Sequence, residues 1–312
     1  MLYTYTMLIV EGLRKRFGTR VALDGFDLTV HPGDVVGLVG HNGAGKTTFA
    51  RVVAGLVALD AGRVTVAGID VGHRPREARA ALGWAPQELA LYPTMTAREI
   101  LLLFAGLNGM SRRDALRRAR ELGAALELTD VLDRRVRELS GGQQRRVQAA
   151  TAMMHRPAVL LLDEPTVGAD PITRRALLAT VRAIADEGTA VVYTTHYLPE
   201  LDVLDASLAV VRDGRVIARG RRAELLASVP GRAVLRYDGT PPPIAPSLHE
   251  RASVQIDGRE ITIVAPDPAA CVARVLAQSR EVTRLSSVEL APPTLDDLYR
   301  ALLEPAEARH GR

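Results

Sequence analysis

Three short stretches of this 312-residue chain carry side chains whose types and order suit phosphate chemistry. The first is Gly40-His41-Asn42-Gly43-Ala44-Gly45-Lys46-Thr47-Thr48, between the apolar run Val35-Val36-Gly37-Leu38-Val39 and a helical pattern through Phe49, Val52, Val53 and Leu56. Strand, glycine loop and helix in that order form a phosphate cradle. Gly40, Gly43 and Gly45 let backbone N–H groups turn inward, and the helix aims the positive end of its dipole at the same point. Lys46 supplies a compact ammonium for the β- and γ-phosphates, and the Thr47 hydroxyl is placed to ligate Mg²⁺. The chain has only two lysines, Lys15 and Lys46, among 40 basic residues, so a retained lysine here marks a need for that shape of cation. This loop implies a bound nucleoside triphosphate.

The second stretch is the apolar run Val159-Leu160-Leu161-Leu162, which reads as a strand buried on both faces and ends in Asp163-Glu164-Pro165. Two adjacent carboxylates there are costly unless they face a cation or cap a helix. Asp163 can reach Mg²⁺ through water, and Glu164 can polarise an attacking water as general base. The third stretch is Leu139-Ser140-Gly141-Gly142-Gln143, leading through Gln144, Arg145 and Arg146 into a helix with Val147, Ala150 and Met153. Ser140 reads as its N-cap, and the free N–H groups behind it make an exposed seat for an anion. One chain therefore encodes two phosphate-binding surfaces far apart in sequence.

In that order, these motifs resemble the nucleotide-binding subunit of an ABC (ATP-binding cassette) transporter. The resemblance extends to single residues. Phe17 stands where the family has an aromatic stacked on adenine, most often Tyr, and keeps the stacking face. Gln87, in Trp84-Ala85-Pro86-Gln87, matches the glutamine of the loop that senses Mg²⁺ and touches the membrane partner. Gly168-Ala169-Asp170 resembles the family's D-loop, with Ala169 where Leu is commoner, and His196 matches the switch histidine near the γ-phosphate.

The resemblance implies ATP bound by Phe17, the loop residues Gly40, Asn42, Gly43, Ala44, Gly45, Lys46, Thr47 and Thr48, and Gln87. It implies Mg²⁺ held through Thr47, Gln87 and Asp163, and catalysis by Glu164, His196 and Lys46. It further implies that Ser140, Gly141, Gly142 and Gln143 grip the ATP of a second cassette packed head to tail, a second copy of this chain or a related one.

Composition sets limits. With 47% hydrophobic and 24% charged residues the chain is that of an ordinary globular protein. One cysteine, Cys271, excludes an internal disulfide framework and a cysteine-cluster metal site, and it reads as a core residue. A net charge of +4 is too small to call for nucleic acid, and none is expected as a partner. No apolar run reaches membrane-spanning length and the start lacks a secretory pattern. The expected place is therefore cytoplasmic, peripheral on the inner face of the membrane, against a separate integral membrane permease.

The elements that must position these residues follow from periodicity. Short strand patterns at 8–17, 26–30 and 63–66 suit an antiparallel part, and 88–155 is helical in pattern. Within it Arg112, Arg113, Arg117, Arg118 and Arg120 read as a solvated helix face. A helix at 171–187 leads to the strand before His196, and strands at 208–212 and 215–218 flank Asp213-Gly214. The fold class is α/β: a P-loop cassette with a mixed sheet, an antiparallel β part and an inserted helical subdomain at about 88–155, expected over residues 1–228.

Residues 229–304 read as a small α+β domain, with strands at 233–237, 253–257, 260–264 and 281–290, a helix through Cys271, Val275 and Leu276, and an exposed Pro-rich loop at 240–246. Residues 305–312 read as a flexible tail. The ending Pro293-Thr294-Leu295-Asp296-Asp297-Leu298-Tyr299, with Thr294 as N-cap and Leu295, Leu298 and Leu302 on one face, resembles that of drug- and antibiotic-exporter ATPases of the daunorubicin-resistance type. The expected function is thus the ATPase subunit of a multisubunit exporter of drugs, lipids or similar cargo, and the alternative is a soluble non-transport ABC ATPase. A chain truncated near residue 228 is expected still to bind ATP but to assemble less tightly with its partner cassette or permease, measured by nucleotide titration and co-purification.

Overall fold

The apolar runs before the glycine loop and the acidic pair, and the strand before His196, become strands buried along their whole length, Val35–Val39, Val159–Asp163 and Ala190–Thr194. A computed structural model describes residues 6–227, 229–278, 285–294, 297, 298 and 301. The chain divides into two compact units, Met1–Gly220 and Arg221–Arg312.

In the first unit the elements run β1 (Leu8–Phe17), β2 (Arg20–Val30), β3 (Val35–Val39), α1 (Lys46–Val53), β4 (Ala61–Val66), β5 (Ile69–Asp70), α2 (Pro75–Ala80) and β6 (Leu82–Ala85). Three helices follow, α3 (Ala97–Leu107), α4 (Arg112–Ala125) and α5 (Gly141–Met153). Then come β7 (Val159–Asp163), α6 (Pro171–Asp186), β8 (Ala190–Thr194), α7 (Pro199–Val203), β9 (Ser207–Arg212) and β10 (Arg215–Gly220).

The central sheet has the order β10-β9-β3-β8-β7-β6. Its strands from β9 to β6 pair in parallel, and β10 joins the edge antiparallel to β9. Parallel neighbours need long crossovers, and these carry the helices that cover the faces, which is why β3, β7 and β8 read as unbroken apolar runs. A second sheet, β2-β1-β4-β5, is antiparallel throughout. Phe26 of β2 stacks on Phe49 of α1 with ring centroids 4.7 Å apart, within the core that joins this sheet to the phosphate-loop helix.

The architecture is the expected α/β class, with differences in detail. The second strand starts at Arg20, well before residue 26. Strand β6 was not expected: its four residues include Gly83 and Trp84, and pairing with β7 rather than local propensity makes it a strand. In α4, Arg118 is buried rather than solvated, its guanidinium reaching the Met153 carbonyl at 3.4 Å. Among the described residues no helix is long and apolar enough to cross a membrane.

The second unit runs α8 (Arg222–Leu226), β11 (Gly231–Tyr237), α9 (Pro246–His249), β12 (Ser253–Asp257), β13 (Glu260–Ala265), α10 (Pro268–Gln278) and β14 (Leu285–Ala291). Its sheet, β12-β13-β11-β14, is antiparallel. Its core joins Leu235, Ile261 and Ile263 of the sheet to Cys271, Val272 and Val275 of α10. The Pro-rich loop is not fully exposed, because Ile244 packs against this core. Thr294 accepts from the Asp297 N–H at 3.2 Å as a cap does, and Asp297 accepts from the Thr294 N–H at 2.9 Å. Leu295, Leu302 and the tail at 305–312 lie outside the described residues.

Gly83 explains how closely α5 approaches the sheet: a Cβ there would lie 2.0 Å from the Ala152 carbonyl oxygen. Gly83→Ala is expected to cost about 1–3 kcal/mol of unfolding free energy. The fluorescence of Trp84, the chain's one tryptophan, would report the lowered urea midpoint.

Candidate active site

Parallel pairing brings the carboxyl ends of four strands to one edge. Ala85 sits opposite Leu162, Asp163 opposite Thr194, and Leu38 opposite Thr194 on the other side. The segments leaving those ends carry Gln87, Asp163 with Glu164, His196 and the glycine loop, the usual position of ligands in open α/β sheets. A cavity of about 560 Å³ opens there, lined by Phe17, Arg20, Ala22, Asn42, Gly43, Gly45, Lys46, Thr47, Thr48, Arg51, Gln87, Asp163 and Glu164.

Gly45 is the N-cap of α1 at φ 112°, a left-handed conformation that favours glycine, and a Cβ there would meet the Ala22 carbonyl oxygen at 2.7 Å. No side chain caps the helix, so its first N–H groups are left for an anion. Lys46 Nζ donates to the carbonyls of Gly40 at 2.6 Å and His41 at 3.2 Å. Burial lowers its pKa, and the charges of Asp163 and Glu164 oppose that shift. The ammonium is thus held at the loop mouth by weak carbonyl acceptors that phosphate oxygens would outcompete.

Asp163 is 4% exposed. Its Oδ1 accepts the Thr194 hydroxyl, while Oδ2 is buried with no hydrogen-bond partner among the described residues. Burial raises the carboxyl's pKa, and the Thr194 bond opposes it. An orphaned buried carboxylate oxygen on this cavity is what a divalent cation would satisfy, so the residues present fit Mg²⁺.

Glu164 adopts φ 49°, a left-handed backbone on a non-glycine residue. Such strain costs on the order of 1–3 kcal/mol and persists only where neighbours impose it. Here the Glu164 N–H is held by both the carbonyl and the hydroxyl of Thr194, each at 3.1 Å. Its Oε2 accepts from Gln87 Nε2 at 3.2 Å and lies 3.4 Å from His196 Nδ1. The carboxylate is sheltered, with 13% of the side chain exposed, whereas the imidazole is 73% exposed and open to a further partner. Gln87, Glu164 and His196 therefore converge beside Asp163 and Lys46.

Ser140, Gly141, Gly142 and Gln143 do not line this cavity. Ser140 caps α5: its Oγ accepts from the Gln143 N–H at 3.2 Å, and Gln143 Oε1 accepts from the Ser140 N–H at 2.9 Å. A Cβ on Gly142 would lie 3.3 Å from the Gly168 carbonyl, so the 168–170 segment rests against this helix start. Asp170 caps α6, accepting from the Ile172 and Thr173 N–H groups at 3.0 and 3.1 Å.

Several participants escaped the sequence reading. Arg20 and Arg51 line the cavity. Gln148 accepts from the Ala90 N–H at 2.7 Å and Arg145 donates to the Gln87 carbonyl, so α5 fastens the Gln87 loop. Their spacing of three residues puts them on one helix face, a signal that was present but had no partner to identify it.

Residues 23–167 match the ABC transporter family. The daunorubicin resistance ATP-binding protein DrrA2 of Streptomyces coeruleorubidus is 40% identical over 310 residues, covering 94% of this chain and 93% of that protein. The Nod factor export ATP-binding protein I of Rhizobium etli is 33% identical over 299 residues, covering 95% and 93%. A solved dimeric bacterial ABC transporter cassette superposes with a TM-score of 0.64 at 25% identity, covering 69% of this chain and 98% of that one.

Lys46→Ala is expected to weaken ATP binding by about a hundredfold or more, since a charge-assisted contact to phosphate is lost from a partly buried site. Isothermal titration with ATP checks this, and unchanged affinity would remove Lys46 from the site.

Proposed function

The chain belongs to the ABC transporter ATP-binding family, and from that premise we propose that it is the ATP-hydrolysing subunit that energises an exporter, working through a head-to-tail pair of cassettes. The observation that carries this reading is the convergence of Gln87, Glu164 and His196 at the cavity that Lys46 and Asp163 line, while the Ser140 seat lies outside it. A site with every part except the facing anion seat calls for a second copy to supply it.

In this reading Phe17 stacks on adenine, and the N–H groups of residues 40–48 and the Lys46 ammonium bind the triphosphate. Thr47, Gln87 and Asp163 would hold Mg²⁺, which would satisfy the Asp163 Oδ2 left without a partner among the described residues. Bound there, it neutralises charge on the phosphate oxygens. Glu164 takes a proton from the attacking water, with Gln87 donating to its Oε2 and His196 Nδ1 lying 3.4 Å from the same oxygen. The exposed imidazole remains available to the γ-phosphate.

Ser140, Gly141, Gly142 and Gln143 of each copy close on the other's ATP. Closure and release then move a permease through the Gln87 loop, which Arg145 and Gln148 couple to the same helix. A membrane partner fits a chain whose described helices are all too short or too polar to span a bilayer. The place of work is the cytoplasmic face of that membrane.

The likeness to a daunorubicin-resistance protein over 94% of this chain supports a drug-type or similar amphiphilic cargo. It also supports reading the C-terminal part as an accessory domain shared with that relative, expected over residues 229–304 beside a cassette of 1–228, whereas the compact units divide earlier, after Gly220. Glu164→Gln is expected to slow ATP turnover by about a hundredfold or more while leaving ATP affinity unchanged. Phosphate release and equilibrium nucleotide titration separate the two, and a wild-type rate would move the base elsewhere.

A further inference from the structure

Glu200 has no part in the site described so far, yet it is 1% exposed. A carboxylate that deep needs donors on both oxygens. Oε1 accepts the Thr166 hydroxyl at 2.6 Å and lies 3.2 Å from Arg174 Nε, and Oε2 accepts the Tyr193 hydroxyl at 2.9 Å. Burial first, and then the neighbouring Glu200 charge, raises the Tyr193 pKa well above its ordinary value, so the phenol stays protonated and donates.

Each partner comes from a different part of the catalytic edge. Thr166 lies two residues beyond Glu164, on the same turn. Tyr193 precedes Thr194, whose hydroxyl bonds Asp163 and whose carbonyl holds the strained Glu164 N–H. Arg174 lies near the start of α6, and its guanidinium sits 4.8 Å from the ring centroid of Tyr197, the residue after His196. One buried carboxylate thus ties together the turn bearing Glu164, the strand bearing Thr194 and the loop bearing His196.

We propose that Glu200 is a positioning residue that holds the Glu164 turn and the His196 loop in one frame, and so sets the distance between the base and its histidine. A surface ion pair would contribute little to such a task. A buried carboxylate that accepts one hydroxyl on each oxygen and has a guanidinium beside it is held by separate segments, and moving the base by a fraction of an ångström is expensive for proton transfer. The inference rests on the reading of Glu164 and His196 given above.

The test measures ATP turnover and ATP affinity of the full chain for Glu200→Gln, Thr166→Val and their combination, with Glu164→Gln as reference. Glu164→Gln speaks only to the functional reading: if it turns over ATP normally, that reading fails whatever Glu200 does. With that reference inactive, Glu200→Gln and Thr166→Val should each lower kcat by about tenfold or more while KM and Kd for ATP stay within about twofold. The double variant should fall no further than the worse single, because both act on one network. Rates are taken per folded chain, counted by ATP-binding stoichiometry. A kcat within about twofold of wild type, or a KM that rises in step with the loss of kcat, overturns the proposal. If Glu200→Gln does not fold, Thr166→Val, which removes one hydroxyl, decides by the same criteria.

Discussion

The parallel pairing of β3, β8, β7 and β6 is the constraint on which the rest depends. Parallel neighbours point their carboxyl ends the same way, so four separate segments deliver the phosphate loop, Gln87, the acidic pair and His196 to one edge. β8 is central to this arrangement because it lies between the strand of the phosphate loop and the strand of the carboxylates. Thr194 at its end bonds Asp163 with its hydroxyl and holds the Glu164 backbone with its carbonyl. A shift of one residue between β7 and β8 would exchange the two faces of the moved strand and break both contacts at once.

The cavity is built at a cost. Lys46 is partly desolvated, Asp163 keeps one buried oxygen without a hydrogen-bond partner among the described residues, and Glu164 occupies a left-handed backbone. None of these helps the protein fold. Each is held by surrounding structure. Strain and unsatisfied charge gathered at one edge of an otherwise well-packed sheet are the pattern expected of a site prepared for a highly charged ligand.

What was legible in the sequence was local. The loop at 40–48 and the acidic pair at 163–164 each sit at the end of an unbroken apolar run, so strand, turn and chemistry could be read from contiguous residues. Ser140 was legible in the same way as the cap of its helix, whereas the reciprocal hydrogen bond from its N–H to Gln143 was not. The rest depended on contacts between distant segments. β6 is a strand because β7 lies beside it, and Arg118 is buried because a carbonyl of α5 waits beneath α4. Glu200 carries no signal in its neighbourhood of Pro199 and Leu201, since its three partners lie 34, 26 and 7 residues away.

The central claim is that the cavity of one chain is completed by the Ser140 seat of another. Its most direct test is the molar mass in solution, by light scattering, of the Glu164→Gln chain during titration with ATP, compared with the same chain also carrying Ser140→Arg. The account predicts that the first passes from one chain to two as ATP saturates and that the second remains single while still binding ATP. A chain that stays single at saturating ATP, or pairs equally well with Ser140 replaced, would contradict it.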